Sequence, residues 1–134
     1  MKDKYVVEII KEAKKAYKIG EIPVGCIIVK NGKIISKGYN LVEKKKNAIN
    51  HAELIAIKKA SKKLKNWRLI DCEMYVTLEP CDLCVEAIRL SRIKKVYYLL
   101  SKSKKVKKTV NLEKIDLNSN EYEDLFNDFF KKIR

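Results

Sequence analysis

The chain has 134 residues, 46% of them hydrophobic, with only four glycines and two prolines. That is the length of one domain with enough apolar material for a core, which excludes a disordered or linker-rich chain. The net charge of +14 is large for this size and points to a polyanionic partner, nucleic acid above all, unless it reflects a general lysine bias.

Tyr5, Ile9 and Ala13, flanked by Val6, Ile10 and Tyr17, recur at helical spacing, and Gly20 is placed to cap that helix. The opening Met1–Glu8 is charged and amphipathic, unlike a secretory signal, and no run of about 18 apolar residues predicts a membrane span. Val24–Val29 reads as a strand, Asn31-Gly32 as a hairpin turn and Lys33–Ser36 as the returning strand. A basic loop over Glu43–Asn47 leads to a second helix near residue 51, with Leu54, Ile55, Ile57 and Ala60 as its buried stripe.

Met74–Leu78 reads as a third strand that delivers Glu79-Pro80 to the edge of the sheet. Pro80 then opens a third helix, whose first turn has no use for the missing N–H. Lys95–Leu100 is a fourth strand. Tyr122, Leu125, Phe126, Phe129, Phe130 and Ile133 fall on one face of a C-terminal helix, as expected for packing against the sheet rather than stacking on bases. Helices alternating with strands imply a three-layer α/β fold, and the whole of 1–134 is expected to form one domain.

The chemistry concentrates in His51-Ala52-Glu53 and Pro80-Cys81-Asp82-Leu83-Cys84. His51 is the chain's one histidine. With Cys81 and Cys84 it makes three ligands, the number a catalytic zinc takes while keeping one position open for water. Zinc lowers the pKa of such a water to about 7, and Glu53, close to a ligand without being one, is placed to relay protons. On an ideal helix, positions two apart diverge by about 200°. His51 and Glu53 can therefore converge only across a helix end. Cys81 and Cys84, three apart, share a face near a second helix N-terminus, where the dipole favours thiolates.

Two readings compete with this one. Cys-x-x-Cys could be a redox pair, although four cysteines in a chain with no apolar opening fit a reducing, cytoplasmic setting in which such pairs commonly bind metal. A closed structural zinc site would need Cys26 or Cys72 as a fourth ligand, and both look like small buried apolar residues.

The pattern H-x-E…P-C-x-x-C is the signature of zinc nucleobase deaminases. The chain also resembles the tRNA-specific adenosine deaminases, within the cytidine deaminase superfamily, in Gly20–Gly25, Gly38–Asn40, Asn66–Asp71, Tyr75–Cys81 and Ser91–Ile93. The resemblance covers residues 5–100, with a fainter echo in Asp128-Phe129-Phe130. It implies an α/β/α cytidine deaminase-like fold, with a mixed central sheet and helices on both faces. The implied protein is a homodimer with one Zn2+ per subunit, converting adenosine to inosine at the wobble position of a tRNA anticodon stem-loop.

By the same resemblance His51, Cys81 and Cys84 hold zinc, Glu53 is catalytic, Asn40 hydrogen-bonds the flipped base and Val24 lines its pocket. For Asn40 a strand-end turn residue, and for Val24 plain core, are the competing readings. Where the family carries a glycine-rich, Asp-containing loop after the fourth strand, this chain has 101–108 with five lysines, no glycine and no acid. Those lysines either grip phosphates or lie on a solvated loop. The same metal site would also serve a deaminase of free cytidine, cytosine or guanine. A non-catalytic RNA-binding module with structural zinc is the third alternative.

Overall fold

The computed structural model describes residues 2–102, 109–117 and 119–132. Four helices, α1 (Lys2–Lys18), α2 (Ala52–Leu64), α3 (Asp82–Leu90) and α4 (Glu121–Lys132), alternate with β1 (Gly25–Lys30), β2 (Lys33–Tyr39), β3 (Cys72–Leu78), β4 (Lys95–Leu100) and β5 (Leu112–Lys114). The sheet order is β2-β1-β3-β4-β5. β1 runs antiparallel to both β2 and β3, whereas β3, β4 and β5 are parallel, so the sheet is mixed. β5 was not foreseen from the sequence. β3 is the middle strand, so Glu79 and Pro80 emerge at the sheet's carboxyl end rather than at a lateral edge.

Period-two alternation divides the strand residues between two cores. Cys26, Ile28, Met74, Val76 and Val96 face α2 and α3. Ile27, Val29, Tyr75, Tyr97 and Leu99 face α1 and Tyr122 of α4. The result is the expected α/β/α sandwich with helices on both faces. Asn31 and Gly32 both take positive φ (51° and 78°), as a two-residue hairpin turn requires. Gly20 (φ 81°) follows α1, and the Glu21 N–H returns to the Ala16 carbonyl at 3.0 Å.

Two glycines set the helices against the sheet. A Cβ at Gly25 would lie 2.1 Å from the Ile9 carbonyl oxygen of α1, and one at Gly38 would lie 2.6 Å from the Ala52 oxygen of α2. So close an approach favours alanine where α2 crosses the sheet. The buried residues there are Ala52, Glu53, Ala56 and Ala60. Leu54, Ile55 and Ile57, expected in the buried stripe, are only partly covered, which corrects that reading.

The segments 66–71 and 91–93 meet. Leu69 is buried and its N–H donates to the Ser91 carbonyl at 2.8 Å, while the Arg68 and Arg92 guanidinium groups lie over the Trp67 ring at 4.4 and 5.6 Å. α4 is tied down by the Tyr122 hydroxyl, which donates to the Pro23 carbonyl at 2.8 Å, and by a Lys14–Glu121 ion pair at 2.7 Å. Ile133 and residues 103–108 lie outside the described residues. Among the described residues no helix is long and apolar enough to cross a membrane.

Candidate active site

His51 is the N-cap of α2 and Cys81 the N-cap of α3, both with extended backbone (ψ 151° and 172°) and neither using its side chain to cap its own helix. Because Cys81 occupies the cap, Pro80 falls just outside α3 rather than in its first turn, a one-residue correction to the reading above. The two freed side chains turn toward each other. His51 Nδ1 is 3.6 Å from Cys81 Sγ and 3.4 Å from Cys84 Sγ. A tetrahedral zinc with Zn–S of about 2.3 Å and Zn–N of about 2.0–2.1 Å holds its nitrogen and sulfur ligands about 3.6 Å apart. Both His51–sulfur separations therefore match zinc ligation, and all three ligand atoms lie within 4.8 Å of one another. Among the described residues they form the one such group of potential ligands.

Among the three side chains by themselves, electrostatics favour the ligating form at Cys81 alone. Hydrogen bonds from Cys84 and then His51 pull the Cys81 thiol down to about 3. The Cys84 thiol is pushed up by its hydrogen bond to Cys81 and by burial, so the proton of the pair resides there. His51 is raised, first by its hydrogen bond to Cys81.

Glu53, in the first turn of α2, is 4% exposed, and burial is the main cause of its raised carboxyl pKa. Cys26 and Cys72 are buried, their thiols pushed up by desolvation, and they stand outside the ligand group. Cys26→Ala and Cys72→Ala are expected to keep wild-type zinc stoichiometry, whereas Cys84→Ala loses the metal. Elemental analysis of the purified variants checks this.

Above the three ligands lies a cavity of about 540 Å³, within the range of small-molecule sites. His51, Glu53 and Cys81 line it, together with Asn40 and Val24. Asn40 Oδ1 accepts from the Ala52 N–H at 2.8 Å and so caps α2 in place of His51. Because that donor is a backbone N–H, the accepting atom must be the amide oxygen, which leaves Nδ2 as the donor available to a ligand. Val24 both touches the cavity and belongs to the core beneath it. Its carbonyl accepts from the Asn40 N–H at 3.2 Å.

Four further features of the wall were not legible in the sequence. Phe129 and Phe130, from the last turns of α4, line the cavity. Helical periodicity assigns both to packing against the sheet; Tyr122, Leu125 and Phe126, earlier in the helix, are the residues that do so. Glu21 is buried and accepts from the Glu43 and Lys44 N–H groups at 3.2 and 2.7 Å, organising the basic loop at the rim. Glu79 is buried too and accepts from the Lys102 N–H at 3.0 Å, placing Lys102 on the wall. The one signal for these acids was their apolar setting, Glu21 beside Ile22-Pro23-Val24 and Glu79 at the end of an apolar strand.

Comparison with known proteins agrees with this geometry. Residues 1–100 match the family model described as the cytidine and deoxycytidylate deaminase zinc-binding region. A tRNA-specific adenosine deaminase of Aquifex aeolicus is 43% identical over 145 aligned positions, covering 99% of this chain and 96% of that protein. The chain belongs to the tRNA-specific adenosine deaminases. The Bacillus subtilis tRNA-specific adenosine deaminase is 49% identical over 70% of this chain and 58% of its own length.

Among solved structures, one from a study of A-to-I editing by tRNA:A34 deaminases superposes with a TM-score of 0.80 at 26% identity, covering 85% of this chain and 98% of that one. The guanine deaminase of Bacillus subtilis superposes with a TM-score of 0.71 at 28% identity, covering 96% and 93%. As a member of this deaminase family the protein is a zinc-dependent hydrolase, and His51, Cys81 and Cys84 are the candidate zinc ligands.

Proposed function

We propose that the protein hydrolytically deaminates adenosine to inosine at the wobble position of a tRNA anticodon. The observation that carries this reading is the convergence of Glu53 with His51 and Cys81 on one cavity, with Cys84 completing the ligand group, in a chain whose relatives are named tRNA-specific adenosine deaminases. His51, Cys81 and Cys84 hold the zinc. When bound, zinc supplies the Lewis acidity that makes water a nucleophile near neutral pH.

The residues of the chain do the rest. Asn40 Nδ2 donates to the flipped base and Val24 presses against it, which fixes the ring edge beside Glu53. The Glu53 carboxylate takes one proton from the attacking water and passes it to the ring nitrogen as the C6–O bond forms. It then takes the second proton, from the added hydroxyl, and passes it to the amine, so that the C6–N6 bond breaks and ammonia leaves. Burial of Glu53 keeps bulk water out of this relay.

The excess of lysine suits RNA, and an anticodon loop is already single-stranded, so extruding its base avoids part of the unstacking cost of a few kcal/mol. We read residues 1–134 as one catalytic domain. We also read the protein as a cytoplasmic homodimer, with the exposed Leu83 and Leu90 of α3 as apolar surface suited to a second copy.

The deciding experiment incubates purified enzyme with an anticodon stem-loop and, separately, with free adenosine, cytidine and guanine, and reads products by mass. Inosine in the stem-loop alone supports the proposal. Turnover confined to a free base would replace it with the reading that the guanine deaminase likeness favours. Asn40→Ala is expected to lower kcat/KM by about 10–100-fold through loss of one buried hydrogen bond to substrate. It should also destabilise the fold by about 1 kcal/mol through loss of the α2 cap, checked by thermal melting beside the kinetics.

A further inference from the structure

The charges on the cavity wall are unequal. Glu21, Glu43, Glu53 and Glu79 contribute to it, and apart from His51 the wall holds one basic side chain among the described residues, Lys102. Two of those carboxylates are already engaged by backbone, Glu21 by Glu43 and Lys44 and Glu79 by Lys102 itself. An RNA strand entering here brings phosphates toward an acidic rim, and repulsion would oppose its approach unless a cation stood at the mouth.

Lys102 is built into place. The Glu79 N–H donates to the Leu100 carbonyl at 2.9 Å, and Glu79 Oε1 accepts from the Lys102 N–H at 3.0 Å. Glu79 thus clamps the exit of β4 to the exit of β3 immediately before the ligand Cys81. This fixes the start of the Lys102 side chain relative to the metal site, while its ammonium remains a solvated charge on a flexible stem.

We propose that Lys102 is a specificity-determining residue that holds a phosphodiester adjoining the flipped nucleotide, making the pocket selective for an adenosine within a strand over a free nucleoside. This rests on the RNA substrate proposed above. The test measures binding of the zinc-loaded enzyme to a short labelled single-stranded RNA by fluorescence anisotropy across a salt series. Inosine occupies the target position, so nothing is turned over.

Lys102→Gln is expected to weaken binding about tenfold and to make the slope of log affinity against log salt shallower by about 0.7, the value for one phosphate contact on a single strand. Lys102→Arg should keep the wild-type slope. Replacing the two phosphodiesters that flank the target with neutral methylphosphonates should weaken wild-type binding to the level of Lys102→Gln, and that variant should lose nothing more. An unchanged slope in Lys102→Gln, or an equal loss on the neutral backbone, would overturn the clamp. Wild-type enzyme that forms no inosine from the adenosine oligonucleotide, while the effect of Lys102 on binding persists, would count against the proposed reaction and not against the clamp.

Discussion

Glu53→Gln is expected to bind zinc and melt like the wild type while forming inosine about 10²–10⁴-fold more slowly, the usual share of a positioned acid–base group. The substitution keeps the shape of a side chain that is 4% exposed and sealed into the first turn of α2, so packing is preserved. It removes only the oxygen able to accept a proton. His51, Cys81 and Cys84 are untouched, so metal content separates loss of proton transfer from loss of the site. Product formation within a few-fold of wild type, with zinc confirmed in the same sample, would remove Glu53 from the mechanism.

Gly38→Ala should damage the same site from behind. Its new Cβ would sit 2.6 Å from the Ala52 oxygen and 3.0 Å from the Ala56 nitrogen, both backbone atoms of α2. The helix must move outward, carrying His51 and Glu53 with it. Overpacking of this kind costs about 1–3 kcal/mol, or roughly 4–12 °C in melting temperature for a chain of this length. Weaker zinc retention against a chelator should accompany the lower melting point. Gly32→Ala is the control, since it has positive φ but nothing within 4 Å. It should cost about 1–2 kcal/mol of backbone strain and leave zinc retention unchanged. Equal zinc retention in the two variants would show that Gly38 does not set the position of α2.

What the sequence revealed and what it concealed follow one physical rule. The β1–β2 hairpin was readable because Asn31 and Gly32 tolerate the positive φ its turn needs, a property carried by two adjacent residues. The ligand group was readable for the same reason: two short motifs, His51-x-Glu53 and Cys81-x-x-Cys84, plus the geometric fact that His51 and Glu53 can meet only across a helix end. Features that depend on which neighbour is present were not readable. Hydrophobic size pointed to Leu54 and Ile55, but Gly38 brings α2 so near the sheet that small Ala52, Ala56 and Ala60 take the inner positions. Spacing told which face of α4 is apolar, but not that Phe129 and Phe130 extend past the sheet into the cavity wall. β5 is three residues long with exposed Glu113 and Lys114, so its identity as a strand comes almost wholly from pairing with β4. The part of 101–108 beyond Lys102 lies outside the described residues, and its reading stays with the sequence.

The order of parts along the chain has a consequence for assembly. All three metal ligands have been synthesised by Cys84, whereas the aromatic wall contributed by Phe129 and Phe130 emerges some 45 residues later. Since domains tend to fold from the N-terminal side during synthesis, the ligand group and the aromatic wall are encoded in separable stretches, and α4, held by Tyr122 on Pro23, is the last element to enclose the cavity.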